Sequence, residues 1–138
     1  MVEISNTTLA VKLGAVGDAR VLLVHAPRDF ELDVNPRTVR HRRPKGAVEV
    51  VVAFFIRETS YRDEVVALSR LITLSGGLWI AFPKRASGVA TSMSDHVVRE
   101  HALPLGLVDN KVCAVDATWT AIRLVWRREV RATLSETL

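Results

Sequence analysis

The chain has 138 residues, of which 49% are hydrophobic and 25% charged, and a net charge of +4. That is the size of one domain with a single core, and a balance that excludes a disordered chain. The longest apolar stretch, VVVAFFI at 50–56, is far too short to span a bilayer, so no membrane association is expected.

The opening MVEISNTTLAVK carries Glu3 early and lacks a basic-then-apolar order, so no export signal is expected. The one cysteine, Cys113, lies in an apolar run, cannot form an internal disulfide and reads as an inert core thiol. Both features point to a cytoplasmic location. Residues 1–11 and 130–138 read as tails around one α/β domain.

RVLLVHA at 20–26 is a continuous apolar run between Asp18 and Pro27, the pattern of a strand buried on both faces. Residues 29–47 read as an irregular basic crossover, with a helical start in DFELDV and TVRHR as an edge strand. VEVVVAFFI at 48–56 and GLWIAF at 77–82 are two further strands, rich in β-branched and aromatic residues. Between them Tyr61, Val65, Leu68 and Ile72 recur on one helical face, behind Ser60 and Asp63 at near capping-box spacing. Gly76 and Gly77 are expected to end that helix. Ser92 or Ser94 caps a second helix through Asp95, with Val97, Val98, Ala102 and Leu105 inward and Pro104 and Gly106 closing it.

LVDNKVCAV at 107–115 and AIRLVWRR at 121–128 are joined by only a short turn, so they must be antiparallel. The expected fold is a Rossmann-like open sheet, mostly parallel, ending in an antiparallel hairpin. Its order should run first strand, second, third, then the last strand, with 107–115 outermost.

That order resembles a reduced class I methyltransferase fold. Residues from about Lys12 to Arg128 also resemble a family of small bacterial domains of unknown function. The match is carried by KLG at 12–14, AP at 26–27, PK at 83–84 followed by ASGVAT, VVRE at 97–100, ALPLGLVD at 102–109 and KVCAVDATW at 111–119. The resemblance implies a methyltransferase-like architecture and no particular reaction. Ala117 stands where the family pattern has an acidic residue, so no role for that acid carries over.

A nucleotide or S-adenosylmethionine site on this fold uses glycines after the first strand, so that backbone and a helix N-terminus approach the ligand. This chain has VHAPRDF there, and the basic run 37–45 holds no acid for ribose hydroxyls. No cofactor is therefore expected, and S-adenosylmethionine should not bind usefully. No metal site is expected either: His96 and His101 stand roughly 140° apart around one helix, and His25 and His41 lack ligand-spaced neighbours. No nucleophile elbow occurs.

The best candidate is AFPKRASGVATSMSDHV at 81–97, at the carboxyl end of a parallel strand running into a helix. Lys84, Arg85, Ser87, Gly88, Thr91 and Ser92 are its anion-binding candidates, against the plainer reading of a capping connection. His25, Arg28, Arg57, Asp116 and Trp119 should share that sheet edge. The favoured reading is a non-catalytic domain that binds an anionic small molecule or regulates, with a homodimer through an exposed sheet edge or face. The alternative is a divergent S-adenosylmethionine-dependent methyltransferase. Nucleic-acid binding through residues 37–45 is a third reading, set back by the lack of interleaved aromatics.

Overall fold

The computed structural model describes residues 8–30, 32, 38–40 and 46–137. Helix α1 (Leu9–Leu13) leads to strand β1 (Val21–Val24), and β2 (Thr38–Arg40) and β3 (Val48–Phe54) follow. Then come α2 (Glu58–Ser69), β4 (Ile72–Pro83), α3 (Asp95–Ala102), β5 (Leu107–Ala114), β6 (Trp119–Trp126) and α4 (Arg128–Thr137). One six-stranded sheet runs β2-β1-β3-β4-β6-β5. The first four strands are parallel, while β6 is antiparallel to both β4 and β5. The expected order holds, with β5 outermost and β6 tucked inside it. Of the irregular crossover, Thr38–Arg40 is indeed an edge strand beside β1. The rest of the DFELDV segment beyond Phe30 and Leu32, and the remainder of the basic run Arg37–Lys45, lie outside the described residues.

The continuous apolar runs follow from burial on both faces. Along β3, Val51 and Ala53 face a core with Tyr61, Val65 and Leu68 of α2 and Val98 and Ala102 of α3. Val50, Val52 and Phe54 face the other way, into a second core with Ala10 and Leu13 of α1, Phe30 and Trp79. Trp79 is 1% exposed, and its indole N–H donates to the Leu13 carbonyl at 3.0 Å. That bond satisfies the one polar atom of a buried ring and pins α1 to the sheet.

Three expectations need correcting. The helix expected through Ile72 to Gly76 and Gly77 stops at Ser69, and Ile72 opens β4. Ile72 continues the helical spacing by coincidence; the chain turns at Arg70 and Leu71, Val48 N–H donates to Leu71 O at 2.7 Å, and Ile72 pairs with Val48. The register then slips, so that Val50 pairs with Gly77. Gly76 sits in this bulge, where a Cβ would lie 2.7 Å from the Glu49 carbonyl oxygen. It serves close backbone approach within a strand, not helix termination.

Residues 9–11 and 130–137, read as tails, belong to α1 and α4. Helix α4 is held because Val130 and Leu134 line one recess with Ile72, Leu105 and Trp126, and Arg127 N–H donates to Gly106 O at 2.9 Å. Lastly, Ser94 caps α3, accepting from Val97 N–H at 3.2 Å, while Ser92 caps a different helix. No helix among the described residues is long and apolar enough to cross a membrane.

Candidate functional site

Strands β1, β3 and β4 end on one edge of the sheet, and β6 begins there. Between β1 and β3 the strand order reverses, because β2 lies on the far side of β1. Open α/β sheets bind ligands in the crevice at such a switch point. Here it holds a cavity of about 490 Å³ lined by His25, Pro27, Phe55, Arg57, Glu64 and Trp119 among others. Three of the five expected edge residues, His25, Arg57 and Trp119, are thus brought together. Arg28 and Asp116 are not in its lining.

His25 is the one non-glycine residue with positive φ among the described residues, at 57°. L side chains rarely adopt this conformation, and outliers of the kind gather at functional sites. The imidazole Nε2 lies 2.9 and 3.0 Å from the two Glu64 carboxylate oxygens, and the ring meets Phe55 edge-on at 5.6 Å. Opposite, Trp119 stands edge-on to Phe54 at 5.2 Å, nearly perpendicular. The cavity thus combines aromatic walls with one guanidinium, one carboxylate and one imidazole. Glu64 was not a sequence candidate: it comes from mid-α2, and nothing in its local pattern marks it.

The crevice has two features of a nucleotide-type site on this fold and lacks a third. The left-handed turn that a glycine would supply after β1 is reached by His25, and the aromatic walls suit a flat base. Among the described residues directly after β1 no helix N-terminus faces the crevice: residues 25–30 form a bend and a turn.

The loop after β4 is mostly self-satisfied. Ser87 Oγ donates to Lys84 O at 2.7 Å and accepts from Val89 N–H at 3.2 Å. Thr91 Oγ1 donates to Ile56 O at 2.6 Å and accepts from Met93 N–H at 3.0 Å. Ser92 Oγ accepts from Glu58 N–H at 2.8 Å, and Gly88, at φ 80°, closes the 3₁₀ turn Arg85–Ser87. Only Lys84, Arg85 and Thr91 of the six anion candidates line a cavity of about 470 Å³ beside the loop. Phe82, Met93, Val112 and Ile122 make it largely apolar, and Asp95 adds a negative charge. That carboxylate already occupies the first turn of α3, accepting from His96 N–H at 3.2 Å and pairing with Arg99 at 3.6 Å. The hydroxyls of Ser87, Thr91 and Ser92 are thus engaged in the loop itself and with the residues leading into α2.

Asp116 is the turn-former of the hairpin: Oδ1 accepts from Thr118 and Trp119 N–H, each at 2.8 Å. It thereby fixes Trp119 at the crevice. Cys113 is 6% exposed, and burial pushes its thiol pKa up. His96 faces solvent near Glu100, at 3.8 Å, whereas His101 Nε2 meets Glu58 Oε2 at 3.0 Å. Those two histidines do not converge, but Glu58, Glu100 and His101 bring three ligand-capable atoms within 4.8 Å of one another.

No protein-family model matches the chain, and no curated protein matches it. Solved structures do. The chain is similar to a putative type 11 methyltransferase from Sulfolobus solfataricus, with 8% identity and a TM-score of 0.57, over 86% of this chain and 89% of that one. It is similar to the magnesium protoporphyrin IX methyltransferase of Synechocystis, solved with bound S-adenosylhomocysteine (12% identity, TM-score 0.51). That match covers 70% of this chain but only 54% of the methyltransferase. A third similar structure is the fibrillarin pre-rRNA processing protein of Methanococcus jannaschii, at 10% identity and a TM-score of 0.50, over 79% and 66% of the two chains. At such identities the likeness shows the fold: a methyltransferase-like Rossmann architecture.

Proposed function

We propose that the protein is a divergent methyltransferase that takes an S-adenosyl ligand in the crevice between β1 and β3. The observation that carries this reading is His25, held at φ 57° in the cavity at the switch point of a methyltransferase-like sheet. Side chains held in a glycine's conformation cluster at functional sites. Trp119, fixed by Asp116 and braced on Phe54, offers the stacking surface for the base. Arg57 offers a cation for the ligand's carboxylate. The imidazole of His25, oriented by Glu64, is the group placed to take a proton from an acceptor substrate.

Calorimetric titration with S-adenosylmethionine and S-adenosylhomocysteine tests it. Saturable binding that Trp119→Ala weakens by about fivefold or more is expected, since aromatic–base stacking is worth about 1–3 kcal/mol. Absence of heat with both compounds would overturn it. The anion-binding reading rests on Lys84 and Arg85, which pair with no carboxylate among the described residues and flank the second cavity. Thermal stabilisation by phosphate-bearing compounds, lost in a Lys84→Ala, Arg85→Ala variant, would support that reading, and together with no S-adenosyl binding it would replace the methyltransferase reading.

A further inference from the structure

We infer that Glu58, Glu100 and His101 form a binding site for a divalent transition-metal ion of the zinc type, bridging α2 and α3. The inference is independent of the crevice reading. One imidazole nitrogen and two carboxylate oxygens lie within 4.8 Å of one another, close enough that small rotations of the two glutamate side chains bring all three to about 2 Å from a shared ion. The imidazole decides the class: magnesium and calcium take oxygen ligands, whereas a mixed nitrogen–oxygen set suits zinc, cobalt or nickel.

Two further contacts hold the ligands in place beforehand. Tyr61 is fully buried, donates to Val98 O at 2.7 Å, and sets its ring edge-on to the His101 imidazole at 5.8 Å. Ser92 holds the Glu58 backbone at 2.8 Å. Supports of this kind orient ligands and reduce the ordering cost of binding. A carboxylate oxygen of Glu58 and one of Glu100 also lie within 4.8 Å of each other, a repulsion that a dication relieves. Three protein ligands, with Glu100 exposed at the surface, leave coordination positions for water.

The experiment is a zinc titration of the full chain after chelator treatment, with cobalt(II) absorption as a second readout. One saturable zinc site and visible cobalt bands are expected. Glu100→Gln, which alters a solvent-facing side chain, should weaken zinc by at least about tenfold, and His101→Ala should remove the cobalt bands. His25→Ala should bind zinc like the parent. No saturable binding by the parent, undiminished binding in Glu100→Gln, or loss in His25→Ala would each overturn the site and leave His101–Glu58 a plain link between helices. Glu100→Gln decides the matter even if His101→Ala fails to fold.

Discussion

Replacing Ser92 by alanine should destabilise a helix to which Ser92 does not belong. Arg57, at the N-cap of α2, makes no side-chain capping bond, so the first amide of the helix is served from the loop after β4. Ser92 Oγ accepts that Glu58 N–H at 2.8 Å, across 34 positions of sequence. A lost cap of this kind costs about 1 kcal/mol. Two features keep the cost from the upper end of the range: water can reach the freed amide, because the bond is exposed, and the backbone bond from Ser92 N–H to Ile56 O, at 3.1 Å, survives the substitution. For a chain of 138 residues, about 1 kcal/mol corresponds to a fall in melting temperature of roughly 3–5 °C. Urea unfolding followed by tryptophan fluorescence gives the energy. Amide exchange gives the location: Glu58 N–H should exchange faster in Ser92→Ala and not in Ser94→Ala, whose cost falls on α3 through Val97. A stability change below about 0.3 kcal/mol, with unaltered exchange at Glu58, would refute the cross-chain cap.

Two other outcomes follow from the same geometry. Gly76→Ala should cost about 1–3 kcal/mol, because the new methyl would lie 2.7 Å from both Glu49 O and Thr73 Oγ1. Gly77→Ala meets the Arg123 guanidinium, a side chain that can move, and should cost less; the reverse ranking in urea melts would contradict the bulge. Acid sensitivity should trace in part to Glu49, whose pKa is lowered from its usual 4.5, first by the Arg20 side-chain hydrogen bond and then by the Arg20 backbone N–H at 2.7 Å. A carboxyl with a depressed folded pKa contributes stability that is complete above the usual value and lost as pH falls through the depressed one. Glu49→Gln should therefore flatten the loss of stability below about pH 4.5, as read from unfolding midpoints; an equally steep loss would place the acid sensitivity elsewhere.

Strands β1 and β3 and the second half of β4 were legible because each is a short apolar run buried on both faces, so the local pattern already states its environment. The hairpin was legible because so brief a connection between two strands leaves only the antiparallel solution. Ser94 capping α3 and Gly106 closing its end are likewise local events, written within three or four residues. Ile72 shows the limit of that logic: its spacing continues the α2 pattern, and only pairing with Val48 makes it the first residue of a strand. The five residues of α1 are too few to hold a helix alone; the indole of Trp79, which donates to Leu13, helps hold it. The site divides the same way. His25 and Arg57, which follow strand ends, and Trp119, which opens the antiparallel β6, could be assigned to one edge from strand direction. Glu64 beside His25, Ser92 on α2, and Glu58 with His101 are pairings between separate elements. Sequence spacing carries no information about such pairs, because the distance between them is set by how the helices pack on the sheet.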